Sequence, residues 1–275
     1  MRLGRDAMEE KLGKPVTKKE AEKALLAAFE ERSRDGSLHA DSRDYFEGSY
    51  DRWSLVISEL SNGPPGGRIL DIGGWDGLFC SALKKLGYEP AAADRHRWMD
   101  NSLWQRLGIE WQQCNIEADP LPFPDGEFSG IYMGQIMEHF TYSPRKPLQE
   151  IRRVLKPGGI LVIDVPNAGE LHNFYRLIRG KNILYDYKKH YIDTEPTFYK
   201  GLPYFDDRHN REFTANELRV LAESCGFEVI RVSYIRSVRH GLRGFRRLEI
   251  PFIYIRDLVP LFRKTVMSVA RKPWK

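Results

Sequence analysis

Residues 68–79 read Arg68-Ile69-Leu70-Asp71-Ile72-Gly73-Gly74-Trp75-Asp76-Gly77-Leu78-Phe79. A short apolar run passes into a glycine-rich turn, and the turn passes into a helical pattern. Glycine permits dihedral angles and a close backbone approach that a side chain would block. The first N–H groups of the following helix are free to meet an anionic ligand group. Such a turn by itself is shared by dinucleotide sites, P-loops and other folds. Here the spacing Gly73, Gly74, Gly77 departs from G-x-G-x-x-G, which disfavours a nicotinamide site. No G-x-x-x-x-G-K-[ST] motif is present, so no P-loop is indicated. Asp94 closes the next apolar run, 21 residues after Gly73. A carboxylate there can accept both hydroxyls of an adenosine ribose, or it can cap a helix.

Outward from this stretch, strands and amphipathic helices alternate. Strands are expected over 68–72, 89–94, 109–114, 128–134, 160–165, 227–234 and 265–271. Helices are expected over 78–86, near 97–107, over 147–155, and after Thr214. The run 160–165 is almost continuously apolar, as in a strand covered on both faces. The alternation predicts an α/β fold, doubly wound, with a mostly parallel seven-stranded sheet. Upstream, Thr17-Lys18-Lys19-Glu20 matches a capping box and a second helix is expected near 43–60. Gly63-Pro64-Pro65-Gly66-Gly67 breaks it. Residues 1–66 are therefore read as an N-terminal helical extension and 67–275 as the main domain. Residues 167–210 interrupt the rhythm with many aromatics and charges. They are read as an insertion that buries its rings in itself, or forms a lid, since insertions after sheet strands sit at the ligand-binding end; the two readings are compatible.

Composition bounds the answer. Of 275 residues, 41% are hydrophobic and 29% charged, which excludes a largely disordered chain. No apolar run approaches the ~18–20 residues of a membrane span, and the charged start is unlike a signal peptide. Cys80, Cys114 and Cys225 are too few and scattered for a disulfide framework or a zinc site, so a cytoplasmic, reducing location is expected. The net charge of +5 conceals an asymmetry: residues 231–275 carry twelve Lys or Arg against two acids, and the remainder is mildly acidic. The segment 236–264 mixes arginines with Leu, Ile and Phe. Packing on the core, contact with an anionic membrane surface and contact with RNA phosphates all suit such a mixture, ranked in that order. Nucleic acid is thus the least favoured partner, and peripheral membrane contact is a further expectation for location.

Several blocks in order carry a resemblance. They are Leu70-Asp71-Ile72-Gly73; Asp94; Leu121-Pro122-Phe123-Pro124-Asp125-Gly126-Glu127-Phe128; Gln135-Ile136-Met137-Glu138-His139-Phe140; Glu150-Ile151-Arg152-Arg153-Val154-Leu155-Lys156-Pro157-Gly158-Gly159; and Arg211-Glu212-Phe213-Thr214. Over roughly residues 45–235 the chain resembles class I S-adenosylmethionine-dependent methyltransferases, in particular the group acting on small molecules, lipids and glycans. The resemblance implies a Rossmann-like fold and S-adenosyl-L-methionine as cofactor. It implies that Asp71 and the turn at Gly73, Gly74 and Gly77 hold the methionine part, that Asp94 binds the ribose, and that Asn115 and Ile116 flank the adenine. Gly134 and Gln135 would border the reaction centre, and Tyr50-Asp51 resembles an element that closes over the cofactor, with Tyr50 as the binding residue. Trp75 departs from the usual glycine of this turn, where its ring either crowds the cofactor or turns outward.

Methyl transfer from a sulfonium is an in-line displacement in which the enzyme positions the nucleophile and, for a hydroxyl, removes a proton. His139 and His209 are the candidate catalytic bases, ahead of His190 and His172. No Asn or Asp followed by Pro-Pro and an aromatic follows the fourth strand, which disfavours adenine or glutamine N-methylation. No cysteine sits in a Pro-Cys context for cytosine methylation. No carboxylate cluster announces a metal, so none is expected. The reading is O-methylation of a hydroxyl on a small molecule, sugar or lipid-linked glycan. The alternatives are a catalytically silent methyltransferase-like binding subunit, or an RNA or protein methyltransferase.

Overall fold

The computed structural model describes residues 14–65, 67–184, 186–205, 208–236 and 250–274. Helix α1 (Lys18–Arg34) starts at the expected capping box: the Thr17 hydroxyl accepts the Glu20 N–H, and the Glu20 carboxylate accepts the Thr17 N–H at 2.8 Å. Helix α2 (Ser42–Leu60) follows, then strand β1 (Arg68–Ile72), α3 (Leu78–Lys85) and β2 (Glu89–Asp94). Next come α4 (Asn101–Leu107), β3 (Glu110–Gln113), β4 (Phe128–Gly134), α5 (Arg145–Val154) and β5 (Leu155–Pro166). The insertion holds α6 (Leu171–Ile178) and a hairpin of β6 (Thr197–Tyr199) and β7 (Leu202–Tyr204). Helix α7 (Ala215–Ser224), β8 (Glu228–Ile235), α8 (Ile250–Leu258) and β9 (Thr265–Arg271) complete the described chain.

Seven strands form one sheet in the order β3-β2-β1-β4-β5-β9-β8. Neighbours from β3 to β5 run parallel, whereas β9 is antiparallel to both β5 and β8. The chain moves outward from β1 to β3 and then returns to the other side of β1 for β4. That reversal makes the C-terminal ends of β1 and β4 the switch point, where open α/β sheets bind ligands.

Alternation along the strands separates two cores. Leu70, Ile72, Ile131, Met133, Leu161 and Ile163 face one side, packed with Leu148 and Ile151 of α5 and Leu218 of α7. Ile69, Tyr132, Ile160 and Val162 face the other, packed with Leu25 of α1, Trp53 and Ile57 of α2, and Leu83 of α3. The N-terminal helices thus share a core with the sheet. The same alternation sends Asp71 and Asp164 to the side of α2 and α3. There Asp164, fully buried, accepts from Arg52 at 2.6 Å, from the Tyr132 hydroxyl at 2.8 Å and from the Gln135 amide at 2.8 Å.

Some boundaries differ from the sequence reading. Helix α4 begins at Asn101, because Asp100 caps it by accepting the Ser102 N–H at 2.8 Å. Asp94 is therefore not a helix cap. Helix α5 starts two residues early, with Pro147 in its first turn, where a missing N–H costs nothing. Strand β5 begins at Leu155, which pairs with Phe128 before a register shift.

The insertion covers only part of its rings: Tyr204 is fully buried beside Tyr199, whereas Phe174, Tyr175, Tyr187 and Phe198 are exposed. Its hairpin docks on loops at the C-terminal edge of the sheet. Arg95 donates to Thr197 at 2.9 Å and lies 4.4 Å from the Tyr204 ring centre; the Tyr142 hydroxyl donates to the Pro203 carbonyl at 3.0 Å. Tyr199 and Lys200 both reach the Asp119 carboxylate. Of the segment 236–264, residues 237–249 lie outside the described residues, as do 1–13 of the extension and 206–207 of the insertion.

Removing one partner of a buried ion pair strands the other charge. Arg52→Ala should therefore cost about 3–5 kcal/mol in urea unfolding. Lys188→Ala, which breaks the exposed Lys188–Asp193 pair, should change stability by less than about 1 kcal/mol.

Candidate functional site

A cavity of about 540 Å³ opens at the switch point, within the range of small-molecule sites. Four strand ends build it: Asp71–Trp75 after β1, Ala93–His96 after β2, Cys114–Glu117 after β3, and Gly134–Ile136 after β4. Of the residues singled out from the sequence, Asp71, Gly73, Gly74, Asp94, Asn115, Ile116, Gly134, Gln135 and His139 all line it.

The turn after β1 is tightly packed at its first two glycines. Gly73 has φ +83, and a Cβ there would stand 2.3 Å from Ile136. At Gly74 a Cβ would meet Ala92 at 2.7 Å. Gly77 starts α3 at φ +74 and faces the Trp104 ring, behind the turn and away from the cavity. Trp75 also adopts a left-handed backbone, φ +42. Its N–H donates to Asp94 at 3.2 Å, and its ring lies 4.9 Å from Tyr45 and 5.5 Å from His39. The ring thus turns toward the N-terminal helices and forms one wall of the cavity. Buried Arg32 of α1 braces the same turn, donating to the Asp76 carbonyl at 2.5 Å.

Tyr50 does not reach the cavity. Its side of α2 faces Phe46, and its hydroxyl donates to the Glu22 carbonyl at 3.3 Å. Tyr45, on another face of the same helix, lines the cavity with Trp53, two turns along. The sequence reading missed both, along with Phe79, Tyr132, Arg95 and the buried partners Arg52 and Asp164. One signal was available for Asp164: a single acid inside an apolar strand.

The floor is acidic. Burial pushes the Asp71 carboxyl up to about 8, with the Cys80 thiol opposing it and Asp94, Asp76 and Asp164 adding smaller contributions to the rise. Burial also raises Asp94, against N–H groups donated by His96 and Trp75. Beyond β4, Gln135 sits at φ +55, a strained position for a non-glycine residue. Its N–H donates to the Asp164 carbonyl and its side chain to the Asp164 carboxylate, both at 2.8 Å. His139 and His209 stand edge to face, 4.9 Å between ring centres. The His139 Nδ1 faces the Arg208 carbonyl at 3.1 Å, and the His209 Nδ1 lies 3.8 Å from buried Glu212. His209, seventy residues later in the chain, stands behind His139 rather than on the cavity wall. His172 lies exposed on α6.

A family model described as a methyltransferase domain matches residues 45–232, and so takes in most of α2. A ubiquinone/menaquinone biosynthesis C-methyltransferase of Methylococcus capsulatus is 28% identical over 148 residues, 50% of this chain and 56% of that protein. The chain thus spans about half the length of the curated relatives it matches. Among solved structures, a SAM-dependent methyltransferase from Archaeoglobus fulgidus superposes with TM-score 0.52 at 16% identity, covering 80% of this chain and 93% of that one. The 1,6-didemethyltoxoflavin-N1-methyltransferase of Burkholderia thailandensis, solved with its substrate and S-adenosylhomocysteine, gives 0.53 at 18% identity, covering 90% and 88%.

The raised Asp71 carboxyl links stability to pH. An unfolded carboxyl loses its proton near ~3.9, whereas folded Asp71 keeps it to about 8. Between those values the folded state binds more protons, so Asp71 makes the ligand-free protein less stable as pH rises. Asp71→Asn should remove that slope. Its melting temperature relative to the parent should rise between about pH 5 and about pH 8, as read by scanning calorimetry.

Proposed function

This chain belongs to the methyltransferase-domain family and has the fold of class I S-adenosylmethionine-dependent methyltransferases, and from that premise we propose that it methylates a small molecule activated through a hydroxyl. The observation that carries the reading is the side-chain-free turn at Gly73 and Gly74, set against the carboxyl groups of buried Asp71 and half-buried Asp94. An acidic, glycine-lined cleft fits a cationic, adenosine-bearing cofactor. S-adenosylmethionine supplies a methyl carbon made electrophilic by a sulfonium. In this reading Asp94 accepts ribose hydroxyls, Asn115 and Ile116 flank the adenine, and Asp71 and the turn hold the methionine part. Gly134 and Gln135 border the reacting end, and Tyr45 takes the covering position expected of Tyr50.

His139, at the cavity wall, takes the acceptor's hydroxyl proton, with His209 behind it. Loss of that proton makes either the oxygen or a conjugated ring carbon the nucleophile. We favour transfer to oxygen. The curated relatives carry methyl to carbon in quinone biosynthesis, which supports the carbon version as a second reading. We also propose peripheral contact with an anionic membrane through the basic C-terminal part. Tyr254, Ile255 and Leu258 of α8, and Leu177 and Ile178 of α6, are exposed apolar side chains, and no described helix is long and apolar enough to span a bilayer.

Calorimetry with S-adenosylhomocysteine tests the core of the proposal. The parent should bind one equivalent and Gly73→Val none, because a β-branched residue cannot hold φ +83 and would reshape the turn besides pressing on Ile136. A parent that does not bind would instead favour a catalytically silent binding subunit. His139→Ala should lower kcat by about 10²–10⁴-fold with little change in cofactor affinity. Carbon-13 shifts of the labelled product separate O-methyl from C-methyl. Sedimentation with anionic liposomes at low salt tests the membrane contact.

A further inference from the structure

Glu138, His139 and His209 converge behind the wall of the cavity. One donor atom from each lies within 4.8 Å of the other two. Glu138 is 1% exposed, and its Oε2 has no hydrogen-bond partner among the described residues. A buried carboxylate oxygen without a partner is costly and uncommon, so it calls for an explanation. The local backbone holds all three residues in place. The Glu138 carbonyl accepts the Asn210 N–H at 2.7 Å, and the Asn210 side chain donates to the His139 carbonyl at 2.9 Å. The two loops are thus stitched together beside the cluster.

The histidine surroundings add a second, independent argument. The His139 Nδ1 meets the Arg208 carbonyl at 3.1 Å. A neutral ring that donates there carries its lone pair on Nε2. His209 has the buried carboxylate of Glu212 at 3.8 Å from its Nδ1, and Asn173 donates to that carboxylate at 2.5 Å. Metal-bound histidines characteristically give their second nitrogen to a carbonyl or carboxylate, as His139 does; the His209 Nδ1 has no hydrogen-bond partner among the described residues, and the Glu212 carboxylate gives it electrostatic company at longer range.

We propose that Glu138, His139 and His209 form a binding site for a divalent transition-metal ion such as Zn²⁺. Two imidazoles and one carboxylate suit zinc or iron(II) better than magnesium or calcium, which prefer oxygen donors. A tetrahedral ion at about 2.0–2.2 Å from each ligand would draw the donors together modestly from their present spacing. Of the three ligands, His139 alone lines the cavity, which puts the site next to it. The site itself rests on these residues alone. Its consequence rests on the methyltransferase reading: an ion here would lower the pKa of an acceptor hydroxyl and replace His139 as the means of activating it.

The test uses the full chain, stripped with a chelator and titrated with Co²⁺. One equivalent should bind with the strong visible absorption of a four-coordinate site, and Zn²⁺ should displace it. Glu138→Gln, His139→Ala and His209→Ala should each weaken binding by more than the roughly 10–100-fold typical of losing an outer partner. His172→Ala, on the exposed face of α6, should bind as the parent does. Should the variants fail to fold, X-ray absorption of the Zn²⁺-loaded parent decides instead: two imidazoles with oxygen are expected. Absence of stoichiometric binding, parental affinity in all three folded variants, or a shell lacking imidazole would overturn the site. S-adenosylhomocysteine calorimetry on the stripped preparation reports separately on the methyltransferase reading.

Discussion

A carboxylate with no access to water sits at the middle of the sheet, and the geometry of the site depends on how it is satisfied. Asp164 would be prohibitively costly alone. Arg52 from α2, the Tyr132 hydroxyl and the Gln135 amide together supply charge and donors. Each partner acts on the cavity. Arg52 also donates to Ser49 at 2.8 Å and to the Tyr45 hydroxyl at 3.3 Å, which fixes the helix face that brings Tyr45 and Trp53 to the wall. Gln135 is held at a strained backbone angle just where β4 ends. Sheet, N-terminal helix and switch point are thereby one rigid unit.

The same side of the sheet carries Asp71, and α1 braces the glycine turn through Arg32 and Asp76. Burial raises both the Asp71 and the Asp94 carboxyls, so a cation brought beside them would favour their charged forms. The aromatic wall of Tyr45, Trp53, Trp75 and Phe79 excludes water from one side. The hairpin of β6 and β7, pinned on Arg95 and Asp119, stands beside the other. Trp75 is accommodated because its left-handed backbone turns the ring toward His39 and Tyr45. The departure from the usual glycine therefore builds a wall and leaves the turn itself clear.

Fold and cofactor cleft were largely legible in the chain. The order of strands and helices, the capping boxes at Thr17 and Thr214, the glycine turn and Asp94 are local patterns. They depend on dihedral preference and on side-chain periodicity, which neighbouring residues determine. Even the final strand, Thr265–Arg271, was legible as a short run of strand-forming residues, and its five central residues are all buried. Helix ends were less so, since Asp100 rather than an earlier residue supplied the cap of α4.

Residues far apart in the chain were a different matter. No spacing rule connects Arg52 to Asp164, or Glu138 and His139 to His209, because each pair meets only after the sheet has set its register and the loops have docked on it. Tyr50 and Tyr45 are both tyrosines near the start of one helix, and only packing against α1 decides which of them faces the cavity. The sequence by itself determined the order of elements and the turn that a ligand can approach, since both follow from local backbone chemistry. The tertiary structure alone decided which distant side chains share one buried volume, because burial and charge compensation are properties of the folded interior.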